Sequence, residues 1–149
     1  MSLHERIIAD LTASMKAKDA HRTSVLRLLK TALDDAAREA RASGTAFDDA
    51  AATARLQGEA KRLKESMAEF RAAGRDDLAD ATAGELTVVA AYLPQQLSED
   101  EVRSVVARVQ QETGATSMAA LMGPAMSELK GRADGAVVRK IVEEVLGKA

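Results

Sequence analysis

The residues of this chain best suited to chemistry form a short segment that runs from Lys130 to Gly135, with the sequence KGRADG. Its two glycines allow backbone conformations with positive φ and leave amide groups uncovered. Asp134 is well placed to cap a following helix, whose N-terminus carries partial positive charge. Together with the cations Lys130 and Arg132, this pattern is typical of a site for phosphate or another anion. A simpler interpretation is an ordinary corner between two helices, since basic side chains are mostly just solvated.

A second basic region lies near the N-terminus. Residues 1–30 hold six basic side chains against three acidic ones, whereas residues 75–97 hold one against four. A polyanion should therefore meet the first two helices or the turn. The candidate contacts in this region are Lys16, Lys18, Arg22, Arg27 and Lys30. Helix stabilisation alone would also explain Lys16 and Lys18, because cations are favourable in the last turn of a helix.

These candidate residues must be positioned by helices, because apolar residues recur at helical spacing throughout and strand-like alternation is absent. Ser2, Asp19, Asp48, Ser98 and Ser117 are predicted to begin helices as N-caps. Pro94 interrupts the pattern. The sequence thus predicts an all-α protein with an N-terminal bundle of about four helices over residues 1–93. This bundle is followed by a linker over residues 94–97 and by a small three-helix C-terminal domain over residues 98–149.

Composition argues against most catalytic classes. The chain has no cysteine, and its two histidines, His4 and His21, lack a second histidine at ligand spacing. No phosphate-binding loop or serine-nucleophile motif occurs. We therefore expect no catalytic residue, no metal and no cofactor. No apolar run is long enough to cross a bilayer, and no signal peptide is visible, so a cytoplasmic location is expected.

The charge and the aromatic residues limit the nucleic acids that the chain could bind. The net charge is −2, which gives no general attraction to nucleic acid, and we expect neither DNA nor a membrane as a partner. Phe47, Phe70 and Tyr92 are the only aromatic residues. A platform for stacking unpaired bases is therefore not expected. Any RNA would be recognised as a folded shape, through phosphates and ribose hydroxyls.

Several strings match one family in order and over almost the whole chain. The most specific is GRADG at residues 131–135, preceded by Met122, Gly123 and Met126. The others are Met15 to Asp19, Arg22, Ser24 to Arg27, Leu29 and Lys30, Glu69 and Phe70, Ala73 to Leu78, and Tyr92 to Ser98. On these motifs the chain resembles the GatB/YqeY family. Its small free-standing members are similar to the C-terminal tail of the B subunit of the glutamine-dependent aspartyl/glutamyl-tRNA amidotransferase.

The resemblance implies a tRNA-binding module without catalytic activity of its own. In the amidotransferase the tail grips the body of the tRNA, while catalysis belongs to other domains and another subunit. The implied contacts are Lys130, Gly131, Arg132 and Gly135, with Arg139 one helical turn further on.

Two other functions stay open. One is a helical adaptor that docks onto an amidotransferase or an aminoacyl-tRNA synthetase. The other, ranked third, is a carbon–nitrogen ligase with glutamine as the amido-nitrogen donor, which only the family association suggests. The sequence specifies neither the tRNA nor the oligomeric state.

Overall fold

Seven helices form the part of the chain that the computed structural model describes, residues 1–147. They are α1 (Leu3–Lys16), α2 (Ala20–Ser43), α3 (Asp49–Ala72), α4 (Asp76–Ala90), α5 (Glu99–Thr113), α6 (Met118–Leu129) and α7 (Gly135–Gly147). Residues 1–147 contain no strand, so the predicted all-α class is confirmed. The chain divides into two compact units, Met1–Leu93 and Pro94–Ala149. The last two residues of the predicted C-terminal domain, 148 and 149, lie outside the described residues.

Capping side chains set the first residue of most helices, as the sequence predicts. In each case a side-chain oxygen of the N-cap accepts a hydrogen bond from the backbone N–H three residues later. The caps are Ser2, Asp19, Asp48, Ser98 and Ser117. Each such bond satisfies one of the four N–H groups that a helix start leaves unpaired, and contributes about 1 kcal/mol. Local chemistry therefore accounts for where these helices begin.

The first unit is a four-helix arrangement around one apolar core. Each helix contributes apolar side chains, and the core residues are Leu3, Ile7, Leu11, Val25, Leu26, Leu29, Leu33, Ala52, Leu56, Ala60, Val88, Val89 and Tyr92. Polar contacts also join its helices. The Leu3 N–H donates to Asp49 Oδ1 over 2.9 Å, which fixes the start of α1 against the start of α3. The buried hydroxyls of Ser14 and Thr23, 2.8 Å apart, pair the end of α1 with the start of α2.

The fourth helix is shorter than its apolar pattern suggests. The sequence favours a helix to about Leu93, but α4 ends at Ala90. The N–H groups of Tyr92 and Leu93 bond to carbonyls only three residues earlier, so the chain tightens into a turn. Pro94 explains this ending, because the residue before a proline is disfavoured in the helical conformation. The turn places Tyr92 inside the first unit, with 6% of its surface exposed.

The second unit packs α5, α6 and α7 around its own core. That core consists of Val102, Val106, Val109, Ala115, Leu121, Ala125, Leu129, Val138, Ile141 and Val142. Leu97 packs against it, and the Leu97 N–H donates to the Arg132 carbonyl over 2.8 Å. Gln96 Nε2 donates to the Gly131 carbonyl over 3.1 Å. Half of the segment predicted as a linker is therefore bound to the second unit.

Within residues 1–147, no helix is long and apolar enough to span a membrane.

Two leucines of α2 offer a direct test of this core. Leu33 is fully buried, whereas 63% of the Leu28 surface is exposed. We expect Leu33→Ala to lower the free energy of unfolding by about 2–5 kcal/mol, because it leaves a cavity. Leu28→Ala should change it by only about 0.5 kcal/mol, since that side chain is mostly solvated. Urea denaturation measures both, and equal losses would contradict this arrangement of α2.

Candidate nucleic-acid interface

The segment between α6 and α7 is a turn whose backbone is held by hydrogen bonds. The N–H groups of Arg132 and Ala133 both donate to the Leu129 carbonyl, over 2.9 and 3.1 Å. Gly131 has a φ of 79°, a left-handed conformation that glycine adopts without steric cost. With the bonds from Gln96 and Leu97, the turn is anchored on two sides. Its conformation is therefore fixed by the backbone, and the basic side chains extend from a rigid base.

The N-terminus of α7 is capped by a carboxylate, as the sequence predicts. Asp134 Oδ1 accepts a hydrogen bond from the Ala136 N–H over 2.8 Å. The negative charge of Asp134 therefore sits where an anion would meet the partial positive charge of the helix. Gly135 begins α7, and only Gly131 of the two glycines has a positive φ. An anion at this turn would be bound mainly by side chains, rather than by the amide groups of Gly131 and Gly135.

The basic side chains around this turn differ in whether they are paired. Lys130 and Arg132 are exposed, and neither makes an ion pair or a side-chain hydrogen bond within residues 1–147. Arg139 is also exposed, but it forms an ion pair with Glu143, with 3.7 Å between Nε and Oε1. Exposed ion pairs of this kind contribute roughly 0–1 kcal/mol to the free energy of unfolding. Arg139 is therefore less available to an anion than an unpaired arginine, but it is not blocked by Glu143. Lys130 and Arg132 are the available cations of the turn.

The second basic region is the corner between α1 and α2. Ala17 and Lys18 connect the two helices, and Lys18 has a φ of 57°, which is uncommon for a residue other than glycine. Asp19 caps α2 by accepting from the Arg22 N–H over 3.1 Å. Lys16 and Lys18 are exposed and make no ion pair in the part of the chain described here. Arg27 is exposed too, and its Nη2 donates a weak hydrogen bond to the sulfur of Met15 over 3.7 Å.

Lys30 is already engaged by a carboxylate of its own helix. Its Nζ lies 2.6 Å from Asp34 Oδ2, and His4 Nε2 lies 2.7 Å from the other oxygen of Asp34. The hydrogen bond from Lys30 is the largest cause that lowers the pKa of Asp34 below its usual value, and burial partly opposes it. The charge of Lys30 is therefore largely compensated before any ligand arrives.

Arg22 is engaged by a network that the sequence pattern does not reveal. Its Nη2 donates to the Tyr92 hydroxyl over 3.3 Å, and that hydroxyl donates to Asp10 Oδ2 over 2.5 Å. The guanidinium of Arg6 lies over the Tyr92 ring, 4.8 Å from its centre, in a cation–π contact. The aromatic residue is 70 residues from Arg22 and 82 from Asp10, so no local signal connects them. Burial, with the Asp10 hydrogen bond second, raises the pKa of Tyr92 to about 12.

The other two aromatic side chains do not form a stacking surface either. Phe47 is half-buried and meets the His4 ring edge to face, with centroids 5.6 Å apart. Phe70 is half-buried as well. In residues 1–147, no group of three or more histidine, aspartate or glutamate side chains is arranged to hold a metal ion. Five of the candidate cations are thus exposed and form no ion pair among residues 1–147: Lys16, Lys18 and Arg27 in the first unit, and Lys130 and Arg132 in the second.

The chain matches the model of one known family and the sequence of a known protein. The model of the family described as Yqey-like protein matches residues 4–146. The chain is also similar to "Altered inheritance of mitochondria protein 41, mitochondrial" from Pyrenophora tritici-repentis (strain Pt-1C-BFP). The two sequences are 31% identical over 147 residues, which cover 95% of this chain and 80% of that relative.

Tyr92→Phe tests the network around the phenol through its dependence on pH. The folded protein holds the phenol proton more tightly than the unfolded chain, whose tyrosine has a pKa near 10.0. The free energy of unfolding of the wild type should therefore fall as the pH rises from about 10 to about 12. Phenylalanine lacks this group, so the variant should be about 1 kcal/mol less stable at neutral pH. Between about pH 10 and pH 12 the free energy of unfolding of the variant should then fall less steeply than that of the wild type.

Urea denaturation at pH 8 to 12 measures both proteins. The wild type and the variant share every other ionisable group. The difference between their curves of unfolding free energy against pH therefore isolates the contribution of Tyr92. If the two curves run parallel across this range, the phenol does not have a raised pKa in the folded protein.

Proposed function

The chain belongs to the YqeY-like family, which is related to the C-terminal domain of GatB, and on that premise we propose that it is a non-catalytic tRNA-binding module. It recognises the shape of tRNA through contacts with phosphates. The observation that carries this proposal is that five exposed cations without ion-pair partners in residues 1–147 lie at two helix junctions. One group is Lys130 and Arg132 between α6 and α7. The other is Lys16, Lys18 and Arg27 at the corner of α1 and α2.

Unpaired cations suit this role for an energetic reason. A cation that already faces a carboxylate must give up that contact before it neutralises a phosphate, and the carboxylate then repels the RNA. Lys30 and Arg139 carry this penalty, because Asp34 and Glu143 stay beside them. Lys130 and Arg132 have no such neighbour among their contacts. They release the counterions of the RNA at little cost, which favours binding at low salt.

The two cations of the turn have different geometry. A lysine ammonium acts as a point charge that reaches a phosphate from several directions, whereas an arginine guanidinium forks onto two phosphate oxygens. Because the backbone of the turn is anchored by Leu97 and Gln96, only the side chains of Lys130 and Arg132 lose freedom on binding. This rigid base supports recognition of phosphates at a fixed spacing, as in a folded RNA.

The experiment is a titration with total tRNA at several salt concentrations. Lys130→Ala combined with Arg132→Ala should weaken binding by about one to a few kcal/mol and reduce the slope of log affinity against log salt by about one to two units. Helical content should stay nearly unchanged, since both side chains are exposed. Asp134→Ala should instead lower the free energy of unfolding by about 1 kcal/mol through the lost cap, without a smaller salt slope.

Lys61 and Lys64 supply the matched control. Both are exposed on α3, and neither makes an ion pair in the described part of the chain, so replacing them by alanine removes the same charge elsewhere. That variant should keep the affinity and most of the salt slope. If the Lys130/Arg132 variant binds tRNA as the wild type does, the turn is not part of the interface, and the corner of α1 and α2 becomes the site to test.

A helical adaptor for an amidotransferase or a synthetase is the second candidate function. It is favoured by three apolar side chains of α1 and α2 that are more exposed than core residues: Ile8, Met15 and Leu28. Scattered apolar exposure is common on soluble proteins, so this support is weaker. The same titration with purified amidotransferase present separates the two functions. An adaptor binds the enzyme without tRNA, whereas a tRNA-binding module binds tRNA without the enzyme.

We also propose a cytoplasmic location. It is supported by the lack of cysteine in the sequence, which fits a reducing compartment. The relative from Pyrenophora tritici-repentis is named as mitochondrial, which is the competing location. Cell fractionation of the native host separates the two, and recovery with an organelle would overturn the cytoplasmic proposal.

A further inference from the structure

A small cavity lies where the last turns of α1 face the first turn of α2. Its volume is about 220 Å³, and it is lined by Asp10, Ala13, Ser14, Ala17, Asp19 and Arg22. Three of these side chains are small, which leaves room between the charged ones. Such a volume is below the roughly 300–1,000 Å³ of pockets for drug-sized ligands. The cavity therefore suits one planar ring system or a similarly small group.

Asp10 and Arg22 line this cavity as a fixed pair of opposite charges that do not pair with each other. Both are held by the Tyr92 hydroxyl, which donates to Asp10 over 2.5 Å and accepts from Arg22 over 3.3 Å. Within residues 1–147, no ion pair joins the two side chains, and Asp10 Oδ1 has no hydrogen-bond partner. The remaining N–H groups of Arg22 have no side-chain partner there either. A carboxylate acceptor and a guanidinium donor thus stand side by side with unused capacity.

We propose that this cavity binds a guanine base. Guanine presents two neighbouring N–H donors, N1 and N2, which match the carboxylate of Asp10. Next to them lie the acceptors O6 and N7, which match the fork of Arg22. Adenine presents one donor group at N6 between acceptors at N1 and N7, so it would offer Asp10 and Arg22 one hydrogen bond each where guanine offers two. The cavity discriminates by hydrogen bonding, which requires no aromatic platform.

The surroundings of the cavity fit a nucleotide rather than a free base. Lys16 and Lys18 flank Ala17 in the sequence and are exposed without ion pairs among the described residues. The sugar and phosphate of a guanine nucleotide, which the cavity is too small to enclose, would remain outside and meet these two cations. The base comes either from a free nucleotide or from an unpaired guanosine of RNA. The RNA source rests on the proposed function, whereas the cavity itself does not.

Calorimetric titrations with guanosine, inosine and adenosine monophosphates test the proposal. Inosine keeps O6, N7 and the N1 donor of guanine but lacks the N2 amino group. We expect guanosine monophosphate to bind at least tenfold more tightly than adenosine monophosphate, with inosine monophosphate in between. This order follows because a site built for hydrogen bonds rejects a ligand that lacks them.

Two substitutions with matched controls assign the selectivity to the cavity. Asp10→Asn and Arg22→Lys should each weaken binding of guanosine monophosphate at least tenfold and bring it close to that of adenosine monophosphate. Asp35→Asn and Arg38→Lys make the same chemical changes in an ion pair of α2 outside the cavity, and should change binding less than twofold. Arg22→Lys keeps the charge at a half-buried position, so it stays informative if Asp10→Asn weakens the fold.

A short uridine-rich RNA with one central guanosine or adenosine separates the two sources. Binding of the guanosine RNA at least tenfold more tightly than the free nucleotide indicates an RNA ligand, whereas equal affinity indicates a free nucleotide. Equal binding of guanosine and adenosine monophosphates, or no binding of either at millimolar concentration, overturns the proposal. That result leaves the tRNA titration with Lys130 and Arg132 variants unaffected, so failure of the cavity and failure of the tRNA proposal are distinguishable.

Discussion

The Tyr92 hydroxyl is the polar group on which the arrangement of the first unit most depends. It donates to Asp10 of α1 and accepts from Arg22 of α2, while Tyr92 itself lies in the turn that follows α4. Two helices and the turn after a third therefore meet at one oxygen atom. A buried hydroxyl that loses its partners costs about 1–3 kcal/mol, so neither helix can shift without that cost. The cation of Arg6 over the ring adds a further contact to the same residue.

That convergence also decides what the basic corner can do. The sequence presents five candidate cations there, but the tertiary contacts divide them into two classes. Arg22 is held toward Tyr92, and Lys30 is neutralised by Asp34, whereas Lys16, Lys18 and Arg27 extend into solvent. A polyanion would meet the second class first. Arg22 instead lines the wall of a small cavity, where recognition would depend on hydrogen bonds rather than on the neutralisation of phosphates.

The two helix junctions share a physical design although they lie in different units. Each has a residue with left-handed backbone, Lys18 in one and Gly131 in the other. Each is followed by an aspartate that caps the next helix, Asp19 or Asp134. Because the aspartate occupies the helix N-terminus, the partial charge of the helix is used for folding. The exposed cations beside it take no part in the cap, so the residue that starts the helix and the residues proposed to bind RNA are different.

The sequence by itself determined the helices and their starts, because caps and apolar periodicity act over three or four residues. Ser2, Asp19 and Asp134 cap helices in the structure as their spacing predicts, and Gly131 takes the positive φ. Helix α4 ends three residues before the position that its apolar pattern predicts, because the chain tightens into a turn before Pro94.

That Arg22 is already engaged was decided only by the tertiary structure, whereas the partners of Lys30 and Arg139 lie four residues further along the same helix. The pairing of Tyr92 with Asp10 spans 82 residues, and the bond between Gln96 and Gly131 spans 35. Such contacts depend on how whole helices pack, and no pattern within one helix specifies them. Charge and spacing identify the residues able to bind an anion. Pairs within one helix engage Lys30 and Arg139, and the packing of the helices decides the case of Arg22.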